Sequence, residues 1–224
     1  MPVSPVITID GPSGSGKGTI SQQLAEQLGW YHLDSGALYR LLAYAALCES
    51  VDLGDSDRLV ALAGQLRESY ELPKTDSPAI LLGGRDVGAE LRTESCADAA
   101  SKVAALPAVR QALLEWQRHY RQSPGLVADG RDMGTVVFPD ADLKLYLTAR
   151  PRVRAERRFK QLKNKGISVD IDALVADVEQ RDARDASRKA SPLKPAIDAL
   201  IVDNSDLDEA ATLTVVLEAV RKIL

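Results

Sequence analysis

Aromatic residues are scarce in this sequence of 224 residues: phenylalanine, tryptophan and tyrosine together account for 4%. A hydrophobic core must therefore depend on leucine, valine, isoleucine and alanine. No apolar run approaches the roughly 18–20 residues that a membrane-spanning helix requires, and the first residues lack the basic segment of a secretion signal. The formal net charge of −4 provides no general attraction to nucleic acid or to anionic lipid. We expect a soluble cytoplasmic protein that binds neither a nucleic acid polymer nor a membrane.

Cysteine and histidine are also rare. Cys48 and Cys96 are isolated in the sequence and lack metal-ligand spacing, which argues against a disulfide framework and favours a reducing compartment. We interpret both as small buried apolar residues. His32 and His119 have no ligand partner at metal spacing, and no Gly-x-Ser-x-Gly motif is present. These absences argue against a zinc site and against the nucleophile elbow of a hydrolase.

Short apolar segments alternate with helical patterns along the chain. The periodicity predicts a helix over residues 16–28 that stops at Gly29, and a second helix over residues 35–50 that is capped by Asp34. The five strand candidates are residues 6–9, 30–33, 126–128, 143–147 and 200–202. This alternation predicts an α/β fold with a five-stranded parallel sheet that is covered by helices on both faces.

One stretch, residues 68–92, interrupts the alternation. Within it, residues 79–82 (Ala-Ile-Leu-Leu) and 85–87 (Arg-Asp-Val) flank Gly83-Gly84, a dipeptide suited to a two-residue hairpin turn. We therefore predict a small antiparallel ribbon, carried by a subdomain of residues 53–106 that is inserted in a single domain spanning residues 1–224.

A glycine-rich turn joins the first strand to the first helix. Its glycines allow the backbone to fold tightly and to aim several N–H groups at one anion, to which the helix adds its positive N-terminal end. Lys17 supplies a mobile charge for the β- and γ-phosphates of a nucleotide. The residues predicted to bind these phosphates are Gly11, Pro12, Ser13, Gly14, Ser15, Gly16, Lys17, Gly18 and Thr19.

The position after the lysine departs from the common P-loop pattern. Gly18 stands where many P-loop proteins carry the serine or threonine that binds Mg²⁺, and Thr19 follows it. We therefore expect Mg²⁺ to be held mainly by phosphate oxygens and water, with a contribution from Thr19, since this ion dehydrates reluctantly.

A P-loop indicates the donor site but not the reaction. A guanine-specific Asn-Lys-x-Asp motif is missing, because the nearest match, residues 164–167, lacks the aspartate. A motor ATPase would need a longer chain and an aliphatic run that ends in Asp-Glu, whereas Asp129 is followed by Gly130. Both of these classes are disfavoured.

Clustered arginines favour transfer to a second phosphate. One helical face carries Arg150, Arg154, Arg157 and Arg158, and another carries Arg181, Arg184 and Arg188. The alternative is a solvated helix surface, with Arg181 flanked by acidic residues. Beside a P-loop we prefer a phosphate-binding role, because two opposed phosphate chains repel each other and need guanidinium groups between them.

Several motifs together resemble a known family. The Gly-Lys-Gly-Thr form of the P-loop and residues 33–40 (Leu-Asp-Ser-Gly-Ala-Leu-Tyr-Arg) are similar to those of nucleoside monophosphate kinases. Residues 7–14, 128–135 (Ala-Asp-Gly-Arg-Asp-Met-Gly-Thr) and 181–185 (Arg-Asp-Ala-Arg-Asp) narrow the resemblance to bacterial cytidylate kinases, over essentially the whole chain. The resemblance implies a P-loop kinase that uses ATP and Mg²⁺ to convert CMP or dCMP into CDP or dCDP, and we expect it to be a monomer. It also implies that the inserted subdomain binds the monophosphate and that residues 150–168 form a mobile lid.

The resemblance assigns roles residue by residue. The donor phosphates would be held by Gly14, Gly16, Lys17, Gly18 and Thr19, with Arg154, Arg157 and Arg158 in the lid. The acceptor phosphate would be held by Arg40, Arg131 and Arg188. The cytosine would meet Ser101, Arg110 and Asp132, and the groups around base and sugar would be Ser35, Arg181 and Asp185. The catalytic set would comprise Lys17, Arg131, Arg188 and Asp132.

Simpler interpretations of single residues remain open at this point. Asp132 could be a helix cap or a partner of Arg131, and Ser101 could be an ordinary helix hydroxyl. Two other functions also remain: a P-loop kinase for another nucleotide or a metabolite such as shikimate, and a nucleotide-binding regulator without catalysis.

Overall fold

The computed structural model describes residues 4–69, 80–164, 166–188 and 190–223. A parallel sheet of five strands forms its centre, in the spatial order β2-β5-β1-β6-β7. Its strands are Val6–Asp10 (β1), Tyr31–Asp34 (β2), Leu126–Gly130 (β5), Leu143–Thr148 (β6) and Leu200–Asp203 (β7). The predicted five-stranded parallel sheet is confirmed, and each strand extends the predicted segment by one or two residues at its carboxyl end.

Eight helices surround the sheet in the described part of the chain. In order they are Lys17–Leu28 (α1), Ser35–Cys48 (α2), Ser56–Ser69 (α3), Glu94–Val103 (α4), Pro107–His119 (α5), Pro151–Asn164 (α6), Ile171–Ala186 (α7) and Glu209–Val220 (α8). A 3₁₀ turn spans Glu90–Arg92, and a single π-helical turn spans Met133–Val137. None of the described helices is long and apolar enough to cross a membrane.

The central strand β1 is buried throughout, and its alternate residues enter different cores. Ile7 and Ile9 pack in the core beneath α1 and α8, whereas Val6 belongs to the larger core beneath α2 and α5. This is the pattern of a parallel sheet that is covered on both faces. Three aspartates, Asp10, Asp34 and Asp129, lie at or next to the carboxyl ends of their strands and meet at one edge of the sheet.

The first two helices begin and end where local signals predict. Gly29 has a left-handed backbone (φ 64°) and closes α1. The Asp34 carboxylate accepts a hydrogen bond from the Ala37 N–H and caps α2. Leu38, Leu41, Leu42 and Ala45, which share one face of α2 at helical spacing, are all buried.

The predicted ribbon is confirmed. Leu81–Leu82 (β3) pairs antiparallel with Arg85–Asp86 (β4). Gly83 and Gly84 between them both have positive φ angles, 56° and 79°, which a two-residue primed turn requires. Part of the first predicted segment, residue 79, lies outside the described residues. Apolar residues of the predicted insert pack in the same large core as those of α2, so this segment is anchored to the main body.

Helices α6 and α7 pack against each other around a small core of their own. Its buried residues are Ala155, Leu162 and Leu174, and they belong to neither of the two larger cores. A pair of helices with a separate core can move as one body on polar contacts to its surroundings, as the predicted lid requires. That α6 and the turn after it form a mobile lid stays a prediction.

The prediction that both cysteines are buried is wrong for Cys48. Cys96 is 2% exposed, but Cys48 is exposed at the end of α2. Position 48 continues the spacing of the inward positions 41 and 45, but Cys48 is the last residue of α2 and its neighbour Leu47 is 47% exposed, so this end of the helix extends beyond the core. Neither thiol forms a disulfide.

Candidate active site

A cavity of about 860 Å³ lies at the carboxyl edge of the sheet. The P-loop forms its floor, and α2, α4, α6 and α7 form its walls. Nearly every residue predicted for the site lines this one cavity. The three exceptions are Gly11, Pro12 and Ser15, which support the loop from outside the cavity lining. The structure thus brings together predicted site residues that lie as much as 175 positions apart, from Ser13 to Arg188.

The P-loop needs glycine for two different reasons. A Cβ atom on Gly11 would lie 2.0 Å from the Leu147 carbonyl oxygen on β6, so only glycine permits this close approach. Gly16 has a left-handed backbone (φ 87°) at the position that caps α1. The loop therefore sits tightly on the sheet and presents the first N–H groups of α1 to the cavity.

Lys17 extends from the start of α1 and donates a hydrogen bond from Nζ to the Pro12 carbonyl oxygen at 3.3 Å. Burial, together with the positive charge of Arg131, lowers the pKa of Lys17 to about 7. Burial and the same Arg131 charge lower the pKa of Arg181 to about 10. Three cations thus face one space, and the charge of Arg131 disfavours protonation of the other two. Such an arrangement is stabilised by an anion between them.

Four guanidinium groups of the site, Arg131 among them, are held by three carboxylates. Asp185, 1% exposed, accepts from Arg131 Nε at 2.8 Å and also pairs with Arg188. Burial raises the pKa of Asp185, but the charges of Arg131 and Arg188 outweigh it and lower the pKa below the ordinary value. The remaining pairs are Arg110 with Asp132, and Arg40 with Asp34 at 2.6 Å. The carboxylates fix these guanidinium groups without neutralising the whole set.

The alternative interpretations of Asp132 are not supported. Its partner is Arg110, not Arg131, and its side chain makes no capping hydrogen bond to the π-helical turn that follows. Asp132 is 3% exposed and Arg110 lies over the ring of Tyr39, 5.5 Å from its centroid. Together these side chains form a polar wall backed by an aromatic ring. Ser101 of α4 is buried and lines the same cavity.

Buried donors remain without partners among the described residues. The Nε atoms of Arg40, Arg110 and Arg181 each lack a hydrogen-bond acceptor there. Leaving a buried N–H of a charged group unpaired is costly, so such groups indicate a ligand that accepts hydrogen bonds. All three arginines line the cavity.

The three arginines of the predicted lid occupy different environments. Arg154 is 2% exposed and donates to the carbonyl oxygens of Ala149 at 2.8 Å and Ser13 at 3.0 Å, while it pairs with Asp182 on α7. Arg154 therefore holds the P-loop in place. The other two are more accessible.

Arg157 donates to the Ser15 carbonyl oxygen at 3.3 Å and to Asn204 at 2.8 and 3.1 Å. Arg158 reaches across the mouth of the cavity and pairs with Glu94 at the start of α4. This pair and the Arg184–Asp98 pair connect helices α6 and α7 to helix α4, which belongs to the predicted insert.

Sequence reasoning missed several residues that shape the site. Asp10 is buried and accepts from the backbone N–H groups of Met133 and Gly134, both at 2.8 Å. Burial raises its pKa to about 7, although the two N–H groups oppose this. Asn204 donates to the Ser15 carbonyl oxygen at 2.9 Å. Asp10 ends a buried strand at the glycine-rich turn, and this position was a usable signal in the sequence. The position of Asn204 carried no such signal.

A second missed group lies beneath α1. Asp129 accepts a hydrogen bond from Ser21 Oγ at 2.9 Å, and His32 Nε2 lies 3.1 Å from the same carboxylate. Burial lowers the pKa of His32, but the hydrogen bond and charge of Asp129 outweigh it and raise the pKa above the ordinary value. This group ties the first turn of α1 to β2 and β5, and so fixes the helix that carries Lys17.

Comparison with known proteins agrees with these motifs. A family model described as cytidylate kinase matches residues 7–222. A cytidylate kinase from Shewanella sp. (strain MR-4) is 53% identical over 213 residues, which cover 94% of this chain and 93% of the relative. One from Shewanella frigidimarina is 54% identical over 97% of this chain and 95% of its own. One from Aeromonas salmonicida is 51% identical over 96% and 93%.

Proposed function

The chain belongs to the cytidylate kinase family, and we propose how its cavity transfers the γ-phosphoryl group of ATP to CMP or dCMP. It is a nucleoside monophosphate kinase, an ATP-dependent enzyme that acts on CMP. The observation that carries the proposed site is the set of three cations, Lys17, Arg131 and Arg181, that face the same cavity, where the charge of Arg131 contributes to lowering the pKa of the other two. Two phosphate chains that meet end to end supply the negative charge this set lacks.

The donor half of the site is the P-loop. Its backbone N–H groups and Lys17 bind the phosphates of ATP, and Arg157 lies beside them on α6. No group of three or more acidic, histidine or cysteine side chains among the described residues could hold a metal ion by itself. A magnesium ion held by phosphate oxygens, water and the Thr19 hydroxyl fits this donor set, and it would supply charge neutralisation at the phosphates.

The acceptor half is formed by the second group of arginines. Arg40, Arg131 and Arg188 hold the acceptor phosphate, and their carboxylate partners keep the guanidinium planes in place. Ser101, Arg110 and Asp132 read the cytosine edge. The residues around base and sugar are Ser35, Arg181 and Asp185. These assignments rest on the cavity lining and on the family's motifs.

The reaction needs no strong general base, because the acceptor phosphate is already an anion. An acceptor oxygen attacks the γ-phosphorus, and the bond from this phosphorus to the bridging oxygen breaks. ADP leaves with the electron pair. Catalysis consists of aligning the two phosphates and of balancing the charge that spreads over the transferring group, which is the role of Lys17 and Arg131. Closure of residues 150–168 over both nucleotides excludes water, so that ATP is not hydrolysed.

We also propose that the enzyme works as a monomer in the cytoplasm. All the catalytic groups assigned above come from one chain and line one cavity. The thiol of Cys48 is exposed and forms no disulfide, which suits a reducing compartment.

A single assay tests the substrate assignment. Formation of ADP is measured with ATP, Mg²⁺ and each of CMP, dCMP, UMP, AMP and GMP. CMP and dCMP should give the highest kcat/KM. A preference for AMP or GMP would refute the assignment of the base-reading residues. ATP binding without turnover on any acceptor, shikimate included, would instead indicate a regulator.

The Lys17→Ala variant tests the role of the P-loop lysine. It should lower kcat at least ~100-fold, because a charge that stabilises the transferring group is lost, while the dissociation constant of CMP changes little. Equal losses in kcat and in CMP affinity would contradict the role assigned to Lys17.

A further inference from the structure

Gln117 makes two hydrogen bonds within the wall of the active site. This residue lies on α5 and is 2% exposed. Its Nε2 donates to the Leu113 carbonyl oxygen at 3.2 Å, and its Oε1 accepts from Ser35 Oγ at 2.8 Å. Gln117 is not assigned to substrate or to catalysis by the motifs described above, yet it contacts one of the residues that are.

The chemistry of these groups fixes the direction of both hydrogen bonds. The Leu113 carbonyl can only accept, so the amide nitrogen of Gln117 must face it. The amide oxygen then faces Ser35, and because this oxygen also can only accept, the Ser35 hydroxyl must donate its one proton to it. Ser35 has only lone pairs left for other partners. Within the cavity it is therefore a hydrogen-bond acceptor.

Ser35 belongs to the same wall as the residues proposed to read the base. It lies one turn before Tyr39 on α2, and Gln117 lies two turns after Arg110 on α5, so each pair shares a helix face. Arg110 stacks on the Tyr39 ring between these positions and pairs with Asp132. All of these residues except Gln117 line the cavity, which makes Gln117 a second layer behind Ser35.

We propose that Gln117 is a positioning residue for base selection, because it holds Ser35 as an acceptor that faces the base. The exocyclic amino group of cytosine can donate to such an acceptor. Uracil places a carbonyl oxygen at the same position, and two acceptors would then face each other without a proton. This inference rests on the proposed function and adds a determinant of its specificity.

The test compares kcat/KM for CMP and UMP in wild type, Gln117→Met and Gln117→Glu. Methionine keeps the approximate volume of glutamine but releases the Ser35 proton, so Ser35 can also donate to uracil. The ratio of CMP to UMP should fall by about tenfold, the effect of one buried polar contact. Glutamate, protonated in this buried position, restores both hydrogen bonds and should keep a ratio near that of wild type.

Ser35→Ala is the matched partner variant. It should lower the same ratio, and adding Gln117→Met to it should cause no further fall, because Gln117 acts through Ser35. A packing role for Gln117 would lower the thermal midpoint and both activities in parallel, with the ratio unchanged; that result overturns the proposal. If Gln117→Met does not fold, an unchanged ratio in Ser35→Ala overturns it.

The outcomes separate this inference from the proposed function. A wild-type protein with no activity on CMP refutes the function itself. A wild-type protein that prefers CMP, together with a Gln117→Met variant that keeps this preference, refutes only the role of Gln117. A wild-type enzyme that uses CMP and UMP equally also refutes the selection role.

Discussion

Binding of ATP at alkaline pH should be accompanied by uptake of a proton on Lys17. In the empty site, burial and the charge of Arg131 lower the pKa of Lys17 to about 7. At pH 8 only roughly a tenth of the Lys17 side chains then carry a proton. The phosphates of ATP are fully ionised at this pH, and their charge restores an ordinary pKa to the lysine. Binding should therefore take up about 0.9 proton per site at pH 8.

The proton uptake on ATP binding should nearly disappear at lower pH. At pH 6 about nine tenths of Lys17 is already protonated in the empty site, so ATP binding has only about 0.1 proton to add there. The lowered pKa also means that Lys17 disfavours the empty folded state. Between pH 7 and pH 10 the unfolded chain binds more protons than the folded one, so this contribution makes stability rise with pH.

Titration calorimetry measures the proton uptake directly. ATP is titrated into the protein at pH 8 in two buffers whose enthalpies of ionisation differ, and the difference in heat gives the number of protons taken up. Lys17→Met is the control, since it keeps most of the side-chain volume but cannot bind a proton. The wild type should exceed this variant by nearly one proton at pH 8 and by very little at pH 6. Equal uptake by both proteins at pH 8 would show that Lys17 is already charged in the empty site, and the reasoning would fail.

Two further predictions concern buried charges beside the P-loop. The pKa of Asp10 is raised to about 7, so the folded state keeps a proton that the unfolded chain loses between about pH 4 and 7. The free energy of unfolding should therefore fall by on the order of a few kcal/mol as pH rises through this range. Thermal unfolding should show this decline in wild type but not in Asp10→Asn. Arg154→Met should lower the free energy of unfolding in urea by ~2–4 kcal/mol, because Asp182 and the Ser13 carbonyl lose their buried partner. Arg152→Met, on the exposed side of the same helix, should lower the free energy of unfolding by less than ~1 kcal/mol. Equal effects of the two variants would show that Arg154 does not anchor the loop.

Local signals determined much of the fold. The P-loop, the end of α1 at Gly29, the Asp34 cap and the Gly83-Gly84 turn each depend on residues within a few positions of one another. Each is therefore readable from a short window of sequence. The short β-branched and aliphatic runs indicated the number of strands in the parallel sheet for a similar reason, because burial on both faces leaves few polar positions within them.

Local signals could not identify the partners across the site. The periodicity of α6 placed its arginines on one face, but it could not distinguish buried Arg154 from Arg158 at the mouth of the cavity. It likewise placed Asp132 in a motif without identifying Arg110 as its partner. The position of Cys48 was misjudged because a free cysteine suits a buried site in general, whereas its exposure depended on the angle at which α2 packs.

The amino-acid sequence by itself determined the phosphate-binding loop, the parallel sheet and the family. Only the tertiary structure decided the strand order and the partners of each charged or amide side chain: Arg131 meets Asp185 54 positions away, and Ser35 meets Gln117 82 positions away. The physical reason is that helix and strand periods fix the face on which a side chain lies, while the group opposite that face depends on how distant elements pack.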